Sequence, residues 1–380
     1  ESVSAQLEAI AEAMESLTVE QIAELDMEHL YAISEALNAP MTVAEGEHTH
    51  FLCGKDTCNG VGGHTETDKV TFTAWKETST LPETAGNYYL MYNVTLKEAW
   101  TPRGVVVLCL NGHNITLADN NNCIIPQEQS TVTLCDCEDK GQITHSNGYK
   151  GSGAFVAGGS TFNMYGGSIT GNTARTGAGV RMYNNGTFNM YGGNITGNEA
   201  KNFTSNSENV GIGGGVYMEK NSTFNMYDGT ISNNTGEYGG GVNINSESVF
   251  NMRGGTIENN KATSSKSAFG GAIAILGTKE KNGTPITNEL IIDGGTISNN
   301  EAGMGGAISA YCADFYYWNG NANIKIEGNV EITLNNARSY GGAIALFGSN
   351  TKKYKNILEM TGGMLSSNKA GNKGGAIFLQ

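Results

Sequence analysis

Apolar and polar residues alternate along much of this chain, and the alternation restarts at a recurring interval. It is clearest in STFNMYGGSITGN, Ser160 to Asn172, where Phe162 and Met164 flank Asn163, Tyr165 follows, a Gly pair breaks the run, and Ser168-Ile169-Thr170 resumes it. A period of two belongs to strands, not helices. The phrase returns as GTFNMYGGNITGN from Gly186, STFNMYDGTISNN from Ser222, SVFNMRGGTIENN from Ser248 and NELIIDGGTISNN from Asn288, so Phe162 is succeeded by Phe188, Phe224, Phe250 and Leu290 in steps of 26, 36, 26 and 40 residues. A third alternating run follows a second glycine cluster, as in GAGVRMY, GGGVYME, GGGVNIN, GGAIAIL, GGAISAY, GGAIALF and GGAIFLQ. Three strands and three turns in about 26 residues make one coil of a parallel β-helix, in which each strand pairs with its counterpart one coil later.

The expected fold is therefore all-β, a right-handed parallel β-helix of three strands per coil over residues 69–380, the hand following from the general rule for parallel crossovers. Asn172, Asn198, Asn234, Asn260, Asn300, Asn336 and Asn368 recur after the second strand and are expected to stack as an amide ladder at one corner. Residues 1–47 read differently. Leu7, Ile10, Ala11 and Met14, then Leu25, Leu30, Ile33 and Leu37, have helical spacing, and Thr18 with Gln21 resembles a capping box. A small α-helical N-terminal cap over the open end of the first coil is the expectation, because such an end exposes unpaired strand edges, with a remnant of another domain as the alternative. Residues 48–68 form a Cys/His-rich loop between the two.

Composition narrows the function. Of a formal net charge of −14, eleven negative charges fall in residues 1–47, which hold no Lys or Arg; that balance excludes nucleic acid as the expected partner. Charged residues are 16% and Gly is 53 of 380, a β-rich composition of secreted type. No apolar run reaches transmembrane length and no signal peptide is recognisable. An opening without Met and a stop at GGAIFLQ read as a piece excised from something longer, with further domains expected. Seven Cys cannot all pair within one chain, and Cys109 and Cys135, 26 residues apart, are expected to stack reduced on neighbouring coils.

Candidate chemistry lies where the repeat is interrupted. HTHFLCGKDTCNGVGGH offers His48, His50, Cys53, Cys58 and His64 at spacings a loop folds around a zinc ion, structural because four ligands close the site; a Cys53–Cys58 disulfide is the alternative. LPETAG, Leu81 to Gly86, has the letters of a sorting signal but runs on into strand sequence. His113 and His145 follow glycine-containing corners and read as turn or stacking residues rather than catalytic bases. With Phe162 and Met164 facing in, one outward column runs Tyr165, Tyr191, Tyr227, Arg253, Asp293 and Glu327. Stacking of the tyrosines on one another is the expectation there. Asp293 beside Glu327 has the makings of a glycosidase pair, or Asp293 forms a surface ion pair with Arg253. The later coils carry insertions after the third strand: GTKEKNGTPITNE after Leu276, CADFYYWNGNAN after Tyr311 and GSNTKKYKN after Phe347. Loops leaving one corner of successive coils wall a groove, and Tyr311, Asp314, Phe315, Tyr316, Tyr317, Trp318 and Phe347 supply the aromatic and acidic surface of a glycan or protein contact, or the middle loop folds down over its own coil.

The GGAI or GGGV steps with a downstream Asn resemble the repeats of bacterial β-helical surface adhesins, including chlamydial polymorphic outer-membrane proteins and other pectate-lyase-like repeats, over roughly Gly151 to Gln380. The resemblance implies a secreted or cell-surface protein that binds a glycan or a host or cell-surface protein, with no cofactor required, and it carries no catalytic residue across. Two alternatives stay open: a carbohydrate-active enzyme, glycoside hydrolase or polysaccharide lyase, using Asp293, Glu327 or Asp314; and a passive spacer with no site.

Overall fold

The computed structural model describes residues 48–54, 69–203, 210–264, 268–277, 285–311, 320–348 and 354–380. The helical segment expected over residues 1–47 lies outside them, and among the described residues there is no helix. The chain winds as a parallel β-helix. Thr161–Met164 pairs in parallel with Thr187–Met190, that strand with Thr223–Met226, and that with Val249–Met252, each Phe opposite the next Phe and each Met opposite the next Met. The second strands stack likewise, from Ser168–Thr170 through Asn194–Thr196 and Thr230–Ser232 to Thr256–Glu258. In the coils that follow, first and second strands fuse into the long strands Thr287–Ser298 and Asn321–Thr333. The third strands make an eight-stranded sheet from Ala154–Ala157 to Ile377–Leu379.

From Thr173 onward each coil also carries a short fourth strand, two residues long in all but Glu301–Met304 and Asn336–Tyr340, and this is the element the alternation did not predict. Thr173–Ala174, Glu199–Ala200, Thr235–Gly236 and Lys261–Ala262 begin a seven-stranded parallel sheet with Ala or Gly facing the interior. Two residues are too few to show a period, and the small side chains leave room for the tight corner.

Identical residues stacked coil on coil make the core. Phe162, Phe188, Phe224 and Phe250 are fully buried, with successive ring centroids 5.3, 5.4 and 4.7 Å apart. Each such side chain contributes about 2–3 kcal/mol on burial. Met164, Met190, Met226 and Met252, then Ile169, Ile195, Ile231 and Ile257, complete the inward faces of the first two strands.

The expected amide ladder is present with one correction: its sixth member is Asn335, not Asn336. Asn335 is fully buried and continues the chain of bonds from Asn300 to Asn368, whereas Asn336 is exposed and opens the next short strand. In every step the backbone N–H and the side-chain Nδ2 of one Asn both donate to Oδ1 of the next, as from Asn198 to Asn234 at 3.0 Å each. Nδ2 also donates to a backbone carbonyl of the preceding coil, as from Asn234 to Ile195 at 2.8 Å. The ladder starts at His145, which is buried and donates from Nδ1 to Asn172 Oδ1 at 2.7 Å.

The residue before each ladder Asn has a left-handed backbone: Gly171 at φ 67°, Gly197 at 65°, Asn233 at 55°, Asn259 at 55°, Asn299 at 56°, Leu334 at 58° and Ser367 at 54°. Leu334 alone among these is a branched apolar residue, and it is 54% exposed. Left-handed backbone costs an ordinary L-residue about 1–2 kcal/mol, and Asn less. Leu334→Asn is therefore expected to stabilise the chain by about 1 kcal/mol, raising its denaturation midpoint; an unchanged or lower midpoint would contradict the corner geometry.

Cys109 and Cys135 pair across neighbouring strands, both buried and both free thiols, as their spacing suggested. Leu81 and Pro82 of LPETAG are buried, and the Pro82 carbonyl accepts from the Trp100 indole at 2.8 Å, so this motif is built into a coil. No helix among the described residues is long and apolar enough to cross a membrane.

Candidate functional site

The strand His48–His50 is antiparallel to Val70–Trp75, with His48 opposite Phe72 and His50 opposite Val70. Its two imidazoles meet two thiols that arrive from separate coils. Cys109 ends Val105–Cys109, and Cys137 follows Thr131–Cys135. One ligand atom from each of His48, His50, Cys109 and Cys137 lies within 4.8 Å of all the others. The spacing in the sequence had suggested a contiguous set; His48 and His50 belong to the cluster in the structure, Cys53 is not in it, and Cys58 and His64 lie outside the described residues.

Three of the six ligand-to-ligand distances in the cluster are close to the edges of a tetrahedral zinc site, and the rest are within 4.8 Å. Zinc bound at about 2.3 Å to sulfur and about 2.05 Å to nitrogen separates its ligands by about 3.8 Å for S–S, about 3.6 Å for S–N and about 3.3 Å for N–N. The corresponding distances are 3.7 Å between the Sγ atoms of Cys109 and Cys137, 3.8 Å from Cys137 Sγ to His48 Nε2, and 3.1 Å between Nε2 of His48 and Nε2 of His50. His50 donates from Nδ1 to the Phe51 carbonyl at 2.6 Å, which fixes the tautomer and leaves Nε2 as the inward lone pair. His48 stacks on Tyr89 at 4.1 Å between centroids and His50 on Phe72 at 4.5 Å, so aromatic walls orient both rings. Cys137 also donates to Asn111 Oδ1 at 3.4 Å, and Asn111 is anchored by its own bond to the Leu90 carbonyl. The Cys137 thiol is pushed up to about 12, first by its hydrogen bond with Cys109 and then by burial, while His48 and His50 act the other way. Its bond with Cys135 is the largest influence raising Cys109.

The cluster sits at one end of the outward column identified in the sequence. Tyr89 pairs with Cys109, Cys109 with Cys135, and the column continues through Tyr165, Tyr191 and Tyr227. The three tyrosines stack face to face, with centroids 4.6 and 4.8 Å apart. Tyr191 is thus stacked on both faces, Tyr227 lies between Tyr191 and Arg253, and Tyr165 packs against the apolar cluster of Tyr89, Cys109 and Cys135. Arg253 lies over Tyr227 at 5.2 Å and donates to its hydroxyl at 3.2 Å, rather than pairing with Asp293. Beyond it the register shifts, and the extra residue places Glu327 and Gly328 beside Asp293. Glu327 is paired with Lys325 at 2.7 Å. A cleft of about 550 Å³ is lined by Gly295, Thr296, Gly328, Val330, Glu331 and Met364 among others, with Asp293 and Glu327 outside its lining.

On the third-strand sheet Leu276, Tyr311 and Phe347 are in register on three successive coils. All three point away from the interior as expected, yet they do not stand free. They pack into a second apolar cluster with Phe269, and with Tyr238, Met304, Tyr340 and Phe378 at its edge. Phe269 is 4.6 Å from Tyr311 and Tyr340 is 4.6 Å from Phe378 by ring centroids. The cluster was missed in the sequence, although its signal is there: Ile212, Tyr238, Phe269, Met304 and Tyr340 each immediately precede a glycine cluster. Asp314, Phe315, Tyr316, Tyr317 and Trp318 lie outside the described residues.

No family model, curated protein or solved structure matches the chain.

Proposed function

We propose that this chain is a secreted or cell-surface binding module, of the kind its repeats resemble, which recognises a glycan or a protein through insertions along one edge of the β-helix. The observation that carries this reading is the register of Leu276, Tyr311 and Phe347. The insertions that begin after them leave equivalent positions on neighbouring coils, about 4.8 Å apart. The aromatic cluster that includes Leu276, Tyr311 and Phe347 anchors the strand ends from which the insertions start. The tyrosine column is a weaker candidate for this role, because its rings are spent on stacking with one another and with Arg253. A metal at the His/Cys cluster serves such a module structurally, since four protein ligands leave no open position for substrate.

A carbohydrate-active enzyme is the second reading. It is favoured by the approach of Asp293 to the Glu327–Gly328 step, although neither carboxylate lines the neighbouring cleft and Glu327 is engaged by Lys325. A glycan array and pull-down from cell-surface extracts test the first reading. Replacing Phe315, Tyr316 and Trp318 together by Ala is expected to lower retention at least about tenfold, as loss of aromatic anchors does, with the thermal midpoint unchanged. Retention that survives the triple replacement would sink the site.

A further inference from the structure

We propose that His48, His50, Cys109 and Cys137 bind one zinc ion, and that this ion staples the strand His48–His50 across the outer face of the opening coils. The proposal is independent of the binding reading above. Each partner of the staple comes from a different level of the fold. His50 packs on Phe72 of the first coil and His48 on Tyr89 of the next. Cys109 and Cys137 belong to the two coils after that. The turn following the strand reaches as far as Asp136, where a Cβ on Gly54 would lie 2.5 Å from the Asp136 carbonyl. A segment of seven described residues thus spans four coils. Among the described residues, its strand pairing joins it only to Val70–Trp75. One three-residue antiparallel pair is a weak hold by itself.

The ligand chemistry selects the metal. Two thiolates and two imidazoles within 4.8 Å of one another, three of the edges near tetrahedral values, suit zinc and exclude magnesium and calcium, which take oxygen. Coordination displaces one proton from each thiol, so apparent affinity rises with pH. The orienting contacts are already made: the Phe51 carbonyl on His50 Nδ1, and Tyr89 and Phe72 on the ring faces. The consequence for the fold is that the strand covers the outer edge of Val70–Trp75, which would otherwise offer unpaired backbone to another chain. Metal binding there acts as folding free energy for the N-terminal segment, while the regular coils from Thr161 onward hold without it.

The test uses the whole chain, loaded with zinc and dialysed. Elemental analysis should find one zinc per chain, and cobalt in its place should give the intense visible bands of a tetrahedral site with thiolate-to-metal charge transfer. Cys109→Ser, Cys137→Ser and His48→Gln should each weaken zinc binding by more than about 100-fold, beyond the loss typical of an outer-shell change. Cys53→Ser, Cys58→Ser and His64→Ala should keep it. Chelation should abolish hydrogen-exchange protection of residues 48–54 and leave that of the coils from Thr161 to Asn260 unchanged, which also serves as the folding control for the variants. Zinc retained by Cys109→Ser and Cys137→Ser, or lost from Cys58→Ser or His64→Ala, would overturn the ligand set. An octahedral cobalt spectrum, a Cys109–Cys137 disulfide in the loaded protein, or exchange at residues 48–54 indifferent to chelation would overturn the staple.

Discussion

Asn234→Ala is expected to destabilise the helix by about 3–5 kcal/mol, measured as a fall in the denaturation midpoint or, because long repeat arrays lose two-state behaviour, as exchange at the coils on either side. The side chain sits fully buried in mid-ladder, where Nδ2 donates to the Ile195 carbonyl and to Asn260, and Oδ1 accepts from both nitrogens of Asn198. Truncation leaves the Ile195 carbonyl and the Asn198 backbone N–H without this partner in an interior that admits no replacement. Each buried orphan costs about 1–3 kcal/mol, and a small cavity adds to the loss. Asn336→Ala, one residue past a ladder position but exposed, should stay within about 0.5 kcal/mol of the parent. Equal effects from the two replacements would contradict the ladder.

Gly270→Ala is expected to cost about 2–5 kcal/mol, the sum of a left-handed backbone and an overlap with main chain. Gly270 has φ 59°, and a Cβ there would press on the Ile273 carbonyl and stand 2.6 Å from Ala274 N. No rotamer change relieves contact with backbone. The first glycine of the other clusters has the same conformation, Gly177 at φ 57°, Gly213 at 68°, Gly239 at 62°, Gly305 at 63°, Gly341 at 62° and Gly374 at 69°. Gly148→Ala provides the comparison. It also has positive φ, 92°, but nothing lies within 4 Å of its added methyl. It should lose only the conformational part, about 1 kcal/mol. A Gly270→Ala chain as stable as Gly148→Ala would mean that the strand turns elsewhere.

The inward faces were legible because alternation reports burial directly: Phe162, Met164 and Ile169 are spaced as a strand requires, and their copies pair in register. The ladder was legible up to one residue. Asn233-Asn234, Asn259-Asn260 and Asn299-Asn300 teach that the second Asn of a pair is the buried one. In Leu334-Asn335-Asn336 the left-handed position is filled by Leu334, so the first Asn is buried instead. Counting from the core Ile resolves this, since Ile332 stands to Asn335 as Ile297 to Asn300. The His/Cys cluster was half legible. His48 and His50 were singled out, but a search for ligands close in sequence pairs them with Cys53 and Cys58. Cys109 and Cys137 are brought to them by winding, through coils that no local spacing describes. The partner of Arg253 was hidden for a similar reason. Asp293 follows it in the column, yet a guanidinium over an aromatic face with a hydroxyl at its edge gains both cation–π attraction and a hydrogen bond.

Function in this molecule is proposed to lie where the copies of the repeat cease to match: at the insertions after Leu276, Tyr311 and Phe347 for binding, and at the N-terminal His/Cys cluster for holding the first strand in place. The decisive measurement is recovery of the ligand after contact with the protein. A glycan or glycoprotein that the chain retains should be eluted chemically intact, with retention lost in the Phe315, Tyr316 and Trp318 triple replacement and kept in Asp293→Asn and Glu327→Gln. New reducing ends or unsaturated products that disappear in Asp293→Asn or Glu327→Gln would contradict a binding role and place a catalytic site beside the cleft.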